Sequence, residues 1–256
     1  MDNLNTYNNI AVLVDADNAD PNKMQSIIEK IATYGRITTK RIYGNWQKDI
    51  LKSWEDVIKT FAFNAVQQFD YVKGKNATDM ALVIDAMELL YTKRYDAFVI
   101  VSSDSDYTPL NIKLRETGIY IVGIGKQSAS DAFKRSCDEF IEIETLSIKS
   151  ISNEQSKAKI TSTNKTNKST VPQYSTDEAE LHRFLKYGTE VETWVNEEGF
   201  VNVASIGQYI KRVKPDFDIK KFGVKKLPDF IEQHSELYET KNYKTGKTII
   251  RAYRLK

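Results

Sequence analysis

The chain has 256 residues, 41% of them hydrophobic and 28% charged. At roughly 100–200 residues per domain, this implies one large domain or two smaller ones with at least one real core, and it excludes a wholly disordered chain. No apolar run approaches the ~18 residues of a membrane helix, and MDNLNTYNNI lacks the basic-then-apolar pattern of a secretory leader. A lone Cys137 excludes an intramolecular disulfide framework and a cysteine-based zinc site. These absences point to the cytoplasm and away from a membrane. The net charge of +2 conceals an asymmetry. Residues 1–147 carry 17 Lys and Arg against 21 Asp and Glu, a net of −4, and residues 148–256 carry 20 against 14, a net of +6. An acidic half joined to a basic half suits an active site on one and a polyanion-binding surface on the other, although ordinary scatter of surface charge gives differences of this size too.

In chain order, IAVLV (Ile10–Val14) is a short β-branched run suited to a buried strand. PNKMQSIIEKIATY, from Pro21, has helical spacing and opens with proline at a first helical position. ITTKRIYG reads as a strand, SWEDVIKTFAF as a helix and NAVQQFDYV as a strand. TDMALVIDAMELLYTKR is a helix in which Val83 and Ile84 lower the intrinsic propensity. DAFVIVSS is a buried strand, YTPLNIKLRETG a helix ending at Gly118, IYIVGIG a strand, SDAFKRSC a short helix and EFIEIE a closing strand. Strands and helices in alternation, with continuously apolar strands, predict a parallel sheet covered on both faces, a three-layer α/β domain. Residues 148–175 are rich in Ser, Thr, Asn and Lys, with five lysines and one glutamate, and read as a solvated linker. Beyond it, DEAELHRFLKYGTEVETWVNEE gives helical patterns, Val203–Val213 suits a helix that Pro215 ends, and Asp218 caps a turn into Lys220–Phe222. LPDFIEQH is a further helix, and ELYETKN and TIIRAYRL form a hairpin around Lys-Thr-Gly-Lys. Three helices and a terminal hairpin make a small winged helix-turn-helix domain. The division is therefore 1–147, a linker at 148–175, and 176–256.

Both histidines, His182 and His234, fall late in the chain. They show no partner at metal spacing and read as surface or packing residues. Chemistry in the first domain therefore falls to carboxylates. An open α/β sheet binds ligands beyond the carboxyl ends of its strands, where two acidic clusters lie. The first strand ends in Val14-Asp15-Ala16-Asp17-Asn18, and a later one in Val101-Ser102-Ser103-Asp104-Ser105-Asp106. Asp79 opens a helix and Asp85 lies within it, six residues on and off the same face. Asp79 and Asp106 each also suit a plain helix-start role. Carboxylates gathered at strand ends raise one another's pKa, and a hard divalent cation removes that conflict. Mg²⁺ or Mn²⁺ in such a site activates water and stabilises charge on a phosphodiester. Two weaker readings stand beside this one. Asp15-x-Asp17 also suits a haloacid-dehalogenase phosphatase, but Asn18-Ala19 follows where a Thr or Val is wanted. Gly123-Ile124-Gly125 is a glycine pair without the third glycine of a dinucleotide site, and no phosphate-binding P-loop is present.

VDADN at Val14–Asn18, KGKNATD at Lys73–Asp79 and SSDSDYTPL at Ser102–Leu110, in this order, resemble the NYN domain, a PIN-like group of ribonucleases. The resemblance spans nearly all of residues 8–147 and implies a Rossmann-like, PIN-like sheet, an RNA substrate and Mg²⁺ or Mn²⁺. By it Asp15, Asp79, Asp104 and Asp106 form the acidic catalytic and metal site, and Asp17, Asn18, Asp85 and Ser102 are supporting positions. The family usually reads SGD where this chain has Ser103; serine tolerates positive φ poorly and adds a side chain near the site. Lys73, Lys75, Arg41 and Trp46 are candidates to grip phosphates and stack bases.

GFVNVASIGQYIKRVKPDFDIKKFGVKKLPDFIEQ, and above all Pro215–Ile231, resembles the OST-HTH or LOTUS domain. That resemblance covers 176–256 and implies binding of single-stranded or structured RNA, or docking of a protein. Lys211, Arg212, Lys220, Lys221, Lys225 and Lys226 are its basic candidates, on a domain of 15 basic and 13 acidic groups. The whole reads as a metal-dependent ribonuclease with an RNA-binding module. The alternative is an RNA-binding adaptor without turnover, which Ser103 favours. The oligomeric state is open, a homodimer included.

Overall fold

Apolar residues alternate across β1 (Tyr7–Asp15), and this alternation organises the first unit of the computed structural model, which describes residues 7–72, 76–146, 176–245 and 248–256. Lys73, Lys75, the 148–175 segment and residues 246–247, where the sequence reading placed a hairpin turn, lie outside the described residues. Contacts divide the chain into two compact units, one on each side of residues 148–175, and each is described by itself. In the first, β1 is followed by α1 (Met24–Tyr34), β2 (Gly35–Gly44), α2 (Trp54–Phe61), β3 (Asn64–Gln67), α3 (Ala77–Tyr91), β4 (Ala97–Val101), α4 (Thr108–Arg115), β5 (Tyr120–Gly125), α5 (Asp131–Ser136) and β6 (Glu139–Glu142). All six strands are parallel, in the order β3-β2-β1-β4-β5-β6.

Ile10, Val12 and Val14 point to one face of the sheet, where they meet Met24, Ile27 and Ile31 of α1 and Trp54 of α2. Ala11 and Leu13 point to the other, against Leu82, Ala86 and Leu89 of α3, Leu110 and Leu114 of α4, and Phe133 of α5. A sheet buried on both faces needs apolar residues at successive positions, which is why its strands read as continuous runs. Helix α3 turns Thr78, Leu82, Ala86 and Leu89 inward and leaves Met80, Ile84 and Tyr91 exposed.

Several boundaries differ from the sequence reading. The first turn from Pro21 is a 3₁₀ turn, Pro21–Lys23, capped by the Asp20 carboxylate, which accepts the Asn22 N–H at 2.9 Å. Strand β3 stops at Gln67 because its partner β2 ends at Gly44, so the residues after it have no ladder to join. The helix expected to reach Gly118 ends at Arg115. The Gly123/Gly125 pair has a packing explanation. A Cβ on Gly123 would lie 2.6 Å from Cys137 Sγ, and one on Gly125 only 2.4 Å from the Ser102 carbonyl oxygen. The glycines let neighbouring chain pass close to β5. Burial pushes the Cys137 thiol up to about 11, so it is inert packing.

The second unit contains α6 (Thr176–Glu190), β7 (Val201–Asn202), α7 (Val203–Val213), α8 (Leu227–Gln233), β8 (Tyr238–Thr245) and β9 (Thr248–Leu255). Its antiparallel sheet has the order β7-β9-β8. Leu181, Phe184 and Leu185 of α6, Ile206, Tyr209 and Ile210 of α7, Phe230 and Ile231 of α8, and Tyr253 of β9 are buried in it. Asn202 caps α7 by accepting the Ala204 N–H at 2.8 Å, and Asp218 caps the Ile219–Phe222 turn by accepting that of Lys220 at 3.0 Å. This is the winged helix-turn-helix expected, with β7 too short to be read from sequence.

Candidate active site at the carboxyl edge of the sheet

The strand order reverses between β1 and β4, and such a switch point leaves a crevice beyond the strand ends. Asp15 closes β1 there and is fully buried. Its Oδ1 accepts the Asp17 N–H at 3.1 Å; its Oδ2 accepts from Asn18 Nδ2 at 2.8 Å and from Ser102 Oγ at 2.9 Å. Ser102 Oγ in turn accepts the Asp104 N–H at 3.1 Å, so one buried hydroxyl joins the ends of β1 and β4. Asp104 accepts the Asp106 N–H at 2.9 Å and caps the short 3₁₀ turn Ser105–Tyr107. That turn drops Tyr107 into the core, where its hydroxyl donates to Asp79 Oδ1 at 2.8 Å. Asn76, just ahead of α3, donates from Nδ2 to Asp106 Oδ2 at 2.7 Å. Asp15, Asp79, Asp104 and Asp106 are thus tied into one acidic cup by Ser102, Tyr107 and Asn76.

Burial is the main force raising the Asp15 pKa; bonds from Asn18 and Ser102 oppose it, and Asp79 and Asp17 add to it. Asp79 is raised in the same way, first by burial, then by Asp104, Asp106 and Asp17, against the Tyr107 bond. Burial, Asp15 and Asp79 raise the Tyr107 phenol, which stays protonated and serves as a donor. The donor set is all oxygen and excludes histidine and cysteine, which suits a hard cation. Among the described residues, no three carboxylates of the cup bring an oxygen each within 4.8 Å of one another. A cation that keeps several waters and uses one or two carboxylates fits that spacing better than one needing a dry cage. The residues present therefore fit a hard, partly hydrated divalent cation.

The raised pKa values fix a sign. A carboxyl that holds its proton more tightly in the folded state costs stability as pH rises from the ordinary carboxylate value of 3.8 through its raised folded value. Near neutral pH, without a cation, both charges oppose folding. Asp79→Asn, whose amide oxygen still accepts from Tyr107, is expected to raise the melting temperature of the cation-free protein at pH 7. The gain should fade at pH 4. Thermal unfolding at the two pH values checks this, and a lower melting temperature at pH 7 would count against it.

Around the cup, the Asp17 carboxylate lies 3.6 Å from Lys48 Nζ, which also pairs with Asp70 at 3.2 Å. Asn45 donates to Asp70 at 3.2 Å. Asp85 is bonded by Arg41 and by the Tyr43 hydroxyl, so it ties α3 to β2. Arg41 is half-buried against that carboxylate. The Trp46 indole donates to the Val66 carbonyl at 3.1 Å and rests on the core. Of the basic and aromatic candidates described in this unit, both are held by protein partners. Phe69 and Tyr71, which belong to none of the sequence motifs, are 51% and 85% exposed just beyond β3. Ser103 differs from the sequence expectation: the non-glycine residues described at positive φ are Ala62 and Lys93. Ser103 needs no glycine-like backbone, and its Oγ accepts the Lys126 N–H at 2.8 Å, toward the end of β5.

The NYN family model matches residues 9–144, just over half of the chain. The chain belongs to the NYN family. Its NYN domain is a member of the PIN-like nuclease superfamily, and an OST-HTH/LOTUS domain matches residues 173–250. No curated protein matches the chain. Among solved structures, the chain is similar to a protein of unknown function from Vibrio parahaemolyticus. That match has 18% identity and a TM-score of 0.44, and covers 56% of this chain and 96% of that one. It is also similar to an uncharacterised protein from Nitrosomonas europaea, with 21% identity and a TM-score of 0.26, covering 39% of this chain and 92% of that one. No helix among the described residues is long and apolar enough to cross a membrane.

Within the NYN domain, sequence reasoning passed over the Tyr107 hydroxyl, Asn76 and Trp54. Trp54 is buried under the site, and its indole donates to the Ala16 carbonyl at 3.2 Å, right after Asp15. A tryptophan opening a helix gave no signal of this. In the LOTUS domain, Lys211, Lys220, Lys221, Lys225 and Lys226 are exposed and Arg212 is partly buried. Lys225 and Lys226 line a groove with Arg251 of β9 and the start of α7. The two histidines correct the sequence reading. Glu178, His182 and His234 bring one ligand atom each within 4.8 Å of one another. Glu178 and His182 share a face of α6 at i, i+4, and packing of α8 delivers His234, which sequence spacing could not show.

Proposed function

We propose that this chain is a divalent-cation-dependent ribonuclease that hydrolyses RNA phosphodiesters, with the LOTUS domain retaining the RNA. The reading rests on one observation: four carboxylates surround the β1/β4 switch point of an NYN domain, linked through buried Ser102 and Tyr107. Asp15 and Asp104 would hold Mg²⁺ or Mn²⁺, and Asp79 and Asp106 complete the acidic rim. A divalent cation bound there supplies charge that activates water and stabilises the phosphodiester as it is attacked. Ser102 holds Asp15 and the Asp104 backbone in register, so neither moves when phosphate enters. Asp79, fixed by Tyr107 through Oδ1, orients water with Oδ2. Asp17 is balanced by Lys48 and supports the loop. Exposed Phe69 and Tyr71 beyond β3 give bases a surface to stack on. With Ser103 outside the positive-φ region, backbone strain there gives no support to a turnover-free adaptor.

Incubating end-labelled single-stranded RNA with Mn²⁺, with Mg²⁺ and with EDTA tests the proposal. Cutting with either cation and none with EDTA is expected. Bound but uncut RNA in both cations would overturn it. For the LOTUS domain, Lys225→Ala/Lys226→Ala is expected to weaken RNA binding across sequences. The slope of log affinity against log salt should fall by up to ~1.4, at ~0.7 per phosphate contact on a single strand. An unchanged slope would remove those lysines from the interface.

A further inference from the structure

We propose that Glu178, His182 and His234 form a binding site for a divalent transition metal, Zn²⁺ by its donor set, that clips α6 to the end of α8. The three ligand atoms lie within 4.8 Å of one another, and the His234 Nε2 to Glu178 Oε1 edge is 3.3 Å. Bonds of ~2.1 Å in a tetrahedral site place ligand atoms ~3.4 Å apart, so that edge already fits, and the other two lie within 4.8 Å.

The second observation is how the rings are held. Metal-bound histidines commonly engage their other ring nitrogen with a fixed partner, which sets the tautomer and aims the ligand. Both rings here do so. His182 Nδ1 is 2.6 Å from the Tyr238 hydroxyl, and His234 Nδ1 is 2.9 Å from the Phe230 carbonyl oxygen. A carbonyl only accepts, so His234 carries its proton on Nδ1. In the neutral ring the Nε2 lone pair then faces a carboxylate oxygen. A metal ion between these two acceptors, 3.3 Å apart, would satisfy both. The walls are aromatic: His182 stacks on Tyr238 at 5.7 Å, and Phe230 packs on both imidazoles at 5.2 and 4.4 Å. Two imidazoles and one carboxylate select a borderline metal over Mg²⁺ or Ca²⁺, and three protein ligands leave a fourth position to water. The site lies in the LOTUS domain and is independent of the acidic cup.

The experiment uses the full chain, stripped with EDTA and held in excess Mg²⁺ to occupy the cup. Zn²⁺ is titrated by calorimetry and Co²⁺ by visible absorption. One tight equivalent is expected, with tetrahedral d–d bands and no sulfur charge transfer. A rise in melting temperature on adding Zn²⁺ should accompany it. His182→Gln, His234→Gln and Glu178→Gln should each weaken binding at least ~100-fold. Tyr238→Phe, which touches no metal, should weaken it ~10–100-fold through ring orientation. Asp104→Asn should retain the equivalent. Absence of d–d bands in the unaltered chain would overturn the proposal and leave a protonated His234 paired with Glu178. Binding that survives His182→Gln and His234→Gln, or that is lost in Asp104→Asn, would also overturn it.

Discussion

Asp104→Asn is expected to lower cation-stimulated RNA cleavage about 100-fold or more while leaving the fold intact. The size follows from removing one negative ligand of a cation that supplies several kcal/mol to the barrier, at 1.36 kcal/mol per factor of ten. The fold survives because the structural duty of Asp104 is to accept the Asp106 N–H at 2.9 Å, and asparagine caps such turns as well as aspartate. Its own N–H still donates to Ser102. Cleavage rates for wild type and variant across Mn²⁺ concentrations, beside their melting curves, check this. A variant that cuts at the wild-type rate would remove Asp104 from the site. A variant that unfolds would show that the carboxylate charge is structural. Asp15→Asn would read less cleanly. The Asp15 carboxylate accepts three hydrogen bonds, and an amide would set a donor against one of them.

The second large effect is on stability. Trp54→Ala should cost ~3–5 kcal/mol, the range for removing a buried aromatic side chain and leaving its cavity. Trp54 is 1% exposed, at the start of α2 and against the β1 face of the core. Its indole also donates to the Ala16 carbonyl at 3.2 Å, which anchors the chain one residue beyond Asp15. Trp54→Phe keeps most of the ring and loses that bond, so a cost of about 1 kcal/mol beyond the lost ring volume is expected. Cleavage should fall in Trp54→Phe even where the protein is fully folded, because the Asp15 loop loses a support. Denaturant midpoints and cleavage rates for both variants measure the two effects. A cost below about 1 kcal/mol for Trp54→Ala would mean that the pocket collapses around the gap.

Most of the NYN domain was legible because a sheet buried on both faces writes its strands as apolar runs. Ile10–Val14 and the DAFVIVSS run are such cases, and the observed strands lie at the same places. The acidic cluster was legible because carboxylates at the ends of neighbouring parallel strands share one edge of the sheet: Asp15 ends β1, and Asp104 lies three residues beyond β4. The misses have a common cause. Strand β3 was read too long because its own sequence stays strand-like after its partner has ended. Arg41 and Trp46 could only be offered as candidates to touch RNA, because sequence gives residue type without its partner; Asp85 and the Val66 carbonyl engage them. Ser103 was read as a strain because the backbone angle was inferred from a family habit.

The sequence by itself determined which segments become strands and helices, where the carboxylates fall along them, and that a polar stretch separates two domains. These are local properties, set by the periods of 2 and 3.6 residues and by composition. Only the tertiary structure decided which of those groups meet. The parallel register that sets Val14 beside Val101 brings Asp15 alongside Ser102, 87 residues away. The turn after β4 aims the Tyr107 hydroxyl at Asp79 on α3. The packing of α8 against α6 sets His234 beside His182 and Glu178. Periodicity fixes the face on which a side chain stands. The partner across that face is fixed by register and packing, which involve the whole core at once.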